Sequence, residues 1–116
     1  MKVIINTDNN ITLTEQSTDE MESLVASTLE HFDSRLTRVE VHLSDESAGR
    51  STGDDVSCRL EARPEGRNPE IVTDNASTVD AALSGALRKL KSVLDSTFGR
   101  LDQRKGGSSM GGTDPQ

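Results

Sequence analysis

The segment RVEVHL at residues 38–43 decides the fold class, because apolar and polar residues alternate strictly along it. Such alternation is typical of a β-strand with one dry and one wet face. The same pattern returns in VSCRLEAR at residues 56–63 and predicts a second strand of this kind. The segment between them, residues 44–55, is rich in serine, glycine and acids. We therefore expect a surface connection between two antiparallel neighbours.

Shorter strands are predicted on either side of this pair. Residues 2–6, KVIIN, are rich in β-branched residues and lead into the turn-forming run 8–10. Residues 70–73 follow a turn rich in proline and glycine at residues 63–69 and predict the last strand.

Two amphipathic helices complete the chain. In the first, over residues 15–34 with Thr14 as N-cap, apolar residues and one threonine recur at helical spacing, namely Met21, Leu24, Val25, Thr28, Leu29 and Phe32. The second begins near Ser77 or Thr78 and ends around Arg104, and its apolar stripe comprises Val79, Leu83, Ala86, Leu87, Leu90, Leu94, Phe98 and Leu101.

The predicted order is β-α-β-β-β-α, an α+β fold with a four-stranded sheet and both helices packed on one face. The helical crossover makes the first two strands parallel, and the later turns make the other pairs antiparallel. The polar face of the sheet is left to water, and it carries Arg38, Glu40, His42, Arg59, Glu61 and Arg63. We expect one domain over residues 1–105 and a disordered Gly/Ser-rich tail over residues 106–116.

Composition narrows the class of protein. The 116 residues are 31% hydrophobic with a formal net charge of −7, which argues against a non-specific binder of nucleic acid or anionic membrane. The single cysteine cannot form an internal disulfide, and no stretch of the sequence has the pattern of a signal peptide or a membrane span. We expect a cytoplasmic protein with no membrane partner.

Catalytic and metal-binding patterns are weak. Cys58 falls at an inward strand position, which favours a buried structural thiol over a reactive one. His31 and His42 lie on different elements without ligand spacing, and the acids of residues 44–55 do not follow a calcium-loop pattern. No phosphate-binding glycine motif occurs. We therefore expect no enzyme, no cofactor, no metal and no small-molecule substrate. A calcium-responsive or enzymatic module is the least favoured alternative.

Charge segregation is the strongest functional signal. Residues 15–33 hold six acids and no Lys or Arg, whereas residues 86–105 hold six cations against Asp95 and Asp102. At about 100° per residue, Lys89, Arg100 and Arg104 form one stripe suited to phosphate contact. Arg88 and Lys91 lie on a neighbouring line, and Lys105 follows. The alternative is that cations near a helix C-terminus complement its dipole, which leaves Lys89 unexplained. The sequence offers no aromatic platform for stacking unpaired bases.

The sequence resembles the ribosome hibernation-promoting factor and ribosome-associated inhibitor family, also called the sigma-54 modulation protein family. The resemblance covers about residues 1–104. It is carried by VIIN at 3–6 with ITLTE at 11–15, by HFDSRL at 31–36 leading into VEVHL at 39–43, and by VDAAL at 79–83 with LRKL at 87–90. It implies a fold like that of double-stranded-RNA-binding domains.

The resemblance also implies a function. Family members are stress or stationary-phase factors that bind rRNA of the small ribosomal subunit in the mRNA/tRNA channel and block translation by occlusion. By position, Lys89 matches a recurrent lysine of the second helix, flanked by Arg88 and Lys91, and Arg35 matches a basic position at the end of the first helix. The expected rRNA-binding residues are Arg35, Arg88, Lys89, Lys91, Arg100, Arg104 and Lys105.

Two departures from the family pattern are relevant. Ser23, Ser27 and Glu30 stand where relatives place lysines on the first helix, which predicts weaker rRNA binding and a shallower dependence on salt. The chain also resembles the short form of the family, so any pairing of ribosomes is expected to need a separate dimerising factor. The alternative reading is an acidic paralogue of the same fold that acts as a protein–protein interaction module.

Overall fold

The computed structural model describes residues 1–8, 10–45 and 55–106, with side chains described through residue 99. Its elements, in chain order, are β1 (Lys2–Thr7), α1 (Glu15–Thr28), a 3-10 segment (Glu30–Arg35), β2 (Leu36–Asp45), β3 (Val56–Pro64), β4 (Glu70–Ala76) and α2 (Val79–Gly106).

The four strands form one sheet in the order β1-β2-β3-β4. β1 pairs with β2 in parallel, and the other neighbours are antiparallel. Val41 lies opposite Leu60, and Leu43 lies opposite Cys58, so the apolar positions of β2 and β3 share one face. The predicted α+β order, the strand directions and the common side of the helices are thus confirmed.

The core lies between this apolar face and the two helices. α2 contributes four buried leucines to the core, Leu83, Leu87, Leu90 and Leu94. α1 buries only Met21 and Val25. Both helices begin with a threonine cap: Ser17 N donates to Thr14 Oγ1 at 3.0 Å, and Ala81 N donates to Thr78 Oγ1 at 3.1 Å. These bonds satisfy amide groups that have no partner within the helix.

The prediction of one continuous helix over residues 15–34 is wrong. α1 ends at Thr28, Leu29 leaves helical geometry with φ −102° and ψ 15°, and the chain tightens into the 3-10 segment. The tighter winding places Phe32 against Phe98 of α2, with ring centroids 5.6 Å apart, so packing supports the change of helix type. Leu24, predicted for the apolar face of α1, is 40% exposed because it lies at the edge of that face.

The predicted boundaries also shift at the end of the chain. β4 continues beyond Thr73 to Ala76, because its pairing with β3 extends to Val56. α2 continues to Gly106, two residues beyond its predicted end around Arg104, and glycine is a common helix end. The rest of the predicted tail, residues 107–116, and most of the predicted acidic loop, residues 46–54, lie outside the described residues. Within the described part of the chain, no helix combines the length and apolarity that a membrane span requires.

Candidate nucleic-acid interface

Lys89 lies on the side of α2 that overhangs the edge strand β4. Its Nζ donates to the carbonyl oxygen of Thr73 at 2.9 Å and to Asp74 Oδ1 at 3.0 Å, while 55% of the side chain stays exposed. The lysine that the sequence singles out for phosphate contact is therefore also an anchor between helix and sheet. A phosphate group at this position would share the ammonium with Asp74.

Gly85 makes this anchor possible. Asp74 points from β4 towards α2, and a Cβ atom on residue 85 would collide with its carboxylate. The glycine lets the carboxylate lie against the helix within reach of Lys89. The hydrogen bond from Lys89 is the main cause that lowers the pKa of Asp74, and the positive charges of Lys89 and Arg88 act in the same direction.

The other predicted cations of α2 differ in their surroundings. Arg88 is exposed next to Lys89, and Lys91 Nζ lies 3.8 Å from Asp95 Oδ2, one helical turn away, with 51% of its side chain exposed. Such an exposed pair contributes little to stability and leaves the lysine accessible. Arg100, Arg104 and Lys105 lie within α2, and their side chains are outside the described part of the chain.

Arg35 is brought to α2 from a distant part of the sequence. It ends the 3-10 segment, and its guanidinium carbon lies 4.1 Å from the centre of the Phe98 ring, in cation–π contact. The contact fixes a partly exposed cation against the C-terminal half of α2. Arg35 thus lies beside the C-terminal half of α2, whereas Lys89, half a turn around the helix from Phe98, faces β4.

The surface of α1 has the opposite sign. Glu15, Asp19 and Glu20 are exposed on α1, and none of its residues carries a positive charge. Glu30 is exposed in the 3-10 segment that follows. Asp33 in the 3-10 segment lies 3.4 Å from the N-terminal amine of Met1. The acidic segment and the basic segment that the sequence predicts therefore lie on different helices.

The open face of the sheet carries an ion-pair network. Arg38 Nη2 lies 2.8 Å from Glu40 Oε2, and Arg63 Nη2 lies 2.6 Å from Glu61 Oε2. His42 Nε2 lies 3.3 Å from Glu40 Oε1. Each carboxylate is thus paired with an arginine across or along the strands, which holds these side chains flat on the sheet.

Glu40, His42 and Glu61 bring potential metal-ligand atoms within 4.8 Å of one another. Sequence spacing missed this grouping because the register between β2 and β3 creates it. The guanidinium groups of Arg38 and Arg63 already neutralise the two carboxylates, which weakens the attraction of the cluster for a divalent cation. His31 lies elsewhere, exposed, with its ring centroid 5.2 Å from that of Phe32.

Cys58 occupies the buried position that the alternation predicts. It is fully buried in β3, and burial, together with the negative charge of Asp74, raises the pKa of the thiol to about 12. The thiol therefore stays protonated at neutral pH, which is the opposite of what a nucleophilic cysteine requires.

Together these observations define a β-α-β-β-β-α domain in which the second helix and Arg35 present cations beside an acidic first helix. The family model described as "Sigma 54 modulation protein / S30EA ribosomal protein" matches residues 4–102, and the chain belongs to this family. The resemblance in the sequence is thereby confirmed.

Solved structures show the same fold. The N-terminal domain of Protein Y from Thermus thermophilus superposes with a TM-score of 0.65 at 18% identity, over 84% of this chain and 99% of that one. A ribosomal subunit interface protein from Coxiella burnetii gives a TM-score of 0.65 at 7% identity, over 85% and 99% of the two chains. No curated protein matches the sequence.

Proposed function

We propose that this chain is a non-enzymatic, cytoplasmic hibernation factor that binds rRNA of the small ribosomal subunit and blocks translation by occupying the channel of mRNA and tRNA. Membership of the family supports association with the ribosome. The observation that carries the choice of surface is the contact of Arg35 with Phe98, which holds a cation from a distant part of the sequence beside the C-terminal half of α2. Arg88, Lys89, Lys91, Arg100, Arg104 and Lys105 are the other proposed rRNA contacts.

Structured RNA suits this surface better than unpaired bases. Both phenylalanines of the chain are buried and it has no tyrosine or tryptophan, so none of these rings is available for stacking on unpaired bases. Arginine and lysine side chains on a rigid helix can contact phosphate oxygens at fixed spacing. Binding then depends on counterion release and weakens as salt rises.

The first test is charge reversal on α2. In Arg88→Glu/Lys91→Glu, two exposed cations become acids without any change in the core, and the Lys89 anchor stays intact. We expect co-sedimentation with small subunits to weaken by at least about tenfold and the salt slope to fall by about two. Lys89 is spared because a glutamate there would face Asp74 and disturb the fold.

The matched control is Lys2→Glu/Arg67→Glu, which changes net charge equally at two exposed positions outside α2. We expect this control to bind almost as tightly as the unmodified chain. Equal losses in both double variants would show that overall charge, rather than the α2 surface, determines binding, and would contradict the proposed interface.

Occlusion is tested separately by competition. If the protein occupies the channel, pre-bound mRNA with tRNA prevents its association with small subunits, and the protein in turn lowers the yield of a cell-free translation reaction. Simultaneous binding of mRNA, tRNA and the protein to one subunit would refute occlusion while leaving ribosome binding intact.

A further inference from the structure

A groove between α1 and the start of α2 is distinct from the proposed rRNA surface. Its volume is about 260 Å³. The buried side chains of Met21 and Leu83 contribute to its lining, together with Leu13 and Val79, which are half-buried. Leu24 also lines the groove, and its 40% exposure is the highest for a large apolar side chain on either helix within the described residues.

The charged residues of this groove are all acidic. Glu20 on α1 and Asp80 on α2 lie on its two sides and are exposed. Neither forms an ion pair with a cation among the described residues. An apolar patch with an acidic rim disfavours nucleic acid, because phosphate groups would be repelled and no base-stacking ring is present.

The acidic surface continues from the groove along α1. A second depression shares Glu20 with the groove and adds Glu15 and Asp19. A third shares Ser23 with the second and adds Glu30 and Asp33. The described residues that line the three depressions include no lysine or arginine. The acids among them follow α1, which is about 21 Å long, and continue into the 3-10 segment, where Asp33 lies 3.4 Å from the amine of Met1.

We propose that this groove docks a segment of another protein in which an apolar side chain is flanked by lysines or arginines. The apolar side chain would cover Leu24 and enter between Met21 and Val79, and the flanking cations would face Glu20 and Asp80. Charge complementarity selects this occupant.

The proposal is tested with the full chain and a fluorescein-labelled peptide of seven residues, with a central leucine and three lysines on each side. Fluorescence anisotropy should show saturable binding, and replacing the leucine of the peptide with serine should weaken it by about tenfold. Leu24→Ser should cause a similar loss, and circular dichroism should show that this variant stays folded, because Leu24 lies outside the buried core.

Charge variants separate docking from general attraction. Glu20→Lys on the groove should weaken peptide binding by about tenfold or more, whereas Glu65→Lys, the same change at an exposed turn, should leave it within about twofold. Equal losses in both variants, or no binding at all, would overturn the proposal. So would concentration-dependent self-association that Leu24→Ser abolishes, because the occupant would then be a second copy. Ribosome binding by α2 is measured independently and is unaffected by any of these outcomes.

Discussion

The two helices lie on the same face of one sheet, yet they differ in packing and in charge. α2 buries four leucines against the sheet and is tied to β4 through Lys89 and through Thr97, whose hydroxyl donates to Glu70 at 2.8 Å. α1 buries Met21 and Val25 only and leaves Leu24 exposed. The basic helix is therefore the more extensively packed one, and the acidic helix is attached by a smaller apolar contact.

This difference separates two kinds of surface. A helix that is well packed on the sheet presents its cations at a defined spacing, which suits contact with phosphate groups of folded RNA. A helix with an exposed leucine and an acidic rim suits a cationic and apolar peptide segment. The fold thus provides two chemically opposite surfaces on a single small core.

The largest expected effect is the unequal stability cost of truncating a leucine on each helix. Leu90→Ala removes a fully buried side chain of α2 and should lower the free energy of unfolding by about 2–5 kcal/mol. Leu24→Ala on α1 should lower it by no more than about 1 kcal/mol, since that side chain is 40% exposed. Urea unfolding followed by circular dichroism measures both, and similar losses would contradict the proposed difference in packing.

The sequence predicted the parts of the fold that depend on local periodicity. Strict alternation over residues 38–43 and 56–63 predicted both central strands and the buried position of Cys58, and helical spacing predicted α2. The change to a 3-10 segment was missed because Leu29 and Phe32 are three residues apart, a spacing that fits both helix types.

The site was less predictable, since its contacts join residues that are distant in the sequence. Lys89 was singled out by its place on a helix, but its anchor Asp74 depends on how α2 crosses the edge strand. The contact of Arg35 with Phe98 depends on the path of the 3-10 segment over α2. Glu40, His42 and Glu61 meet only through strand register. Local patterns carry no information about such distances.

A smaller effect concerns the anchor of α2. Gly85→Ala should destabilise the unmodified chain by about 1 kcal/mol, because the new methyl group displaces the Asp74 carboxylate from Lys89. In an Asp74→Ala background the same substitution should stabilise by up to about 1 kcal/mol. The Cβ of residue 74, 3.6 Å away, is then at ordinary contact distance from the methyl group, and alanine favours helix over glycine. Urea unfolding of the four chains tests this reversal of sign. Destabilisation by Gly85→Ala in both backgrounds would show that the new methyl group does not collide with Asp74.

The smallest expected effect is the pH dependence of the same anchor. Because Lys89 lowers the pKa of Asp74 in the folded chain, the ionised carboxylate stabilises the fold above the pKa of an unfolded aspartate, about 3.9. This contribution is lost as pH falls through the lowered pKa. The stability difference between the unmodified chain and Asp74→Asn should therefore be constant above about pH 5 and shrink below pH 4. Unfolding curves at several pH values measure it, and a difference that grows on acidification would disprove the assignment.

The most direct test of ribosome binding through the basic helix is sedimentation of the purified chain with ribosomes and with separated subunits, at low and at physiological salt. We expect the protein to sediment with the small subunit and to dissociate progressively as salt rises, because phosphate contacts release counterions. Absence from every ribosomal fraction at low salt would contradict this function, and the acidic surface of α1 would then become the first place to look for a partner.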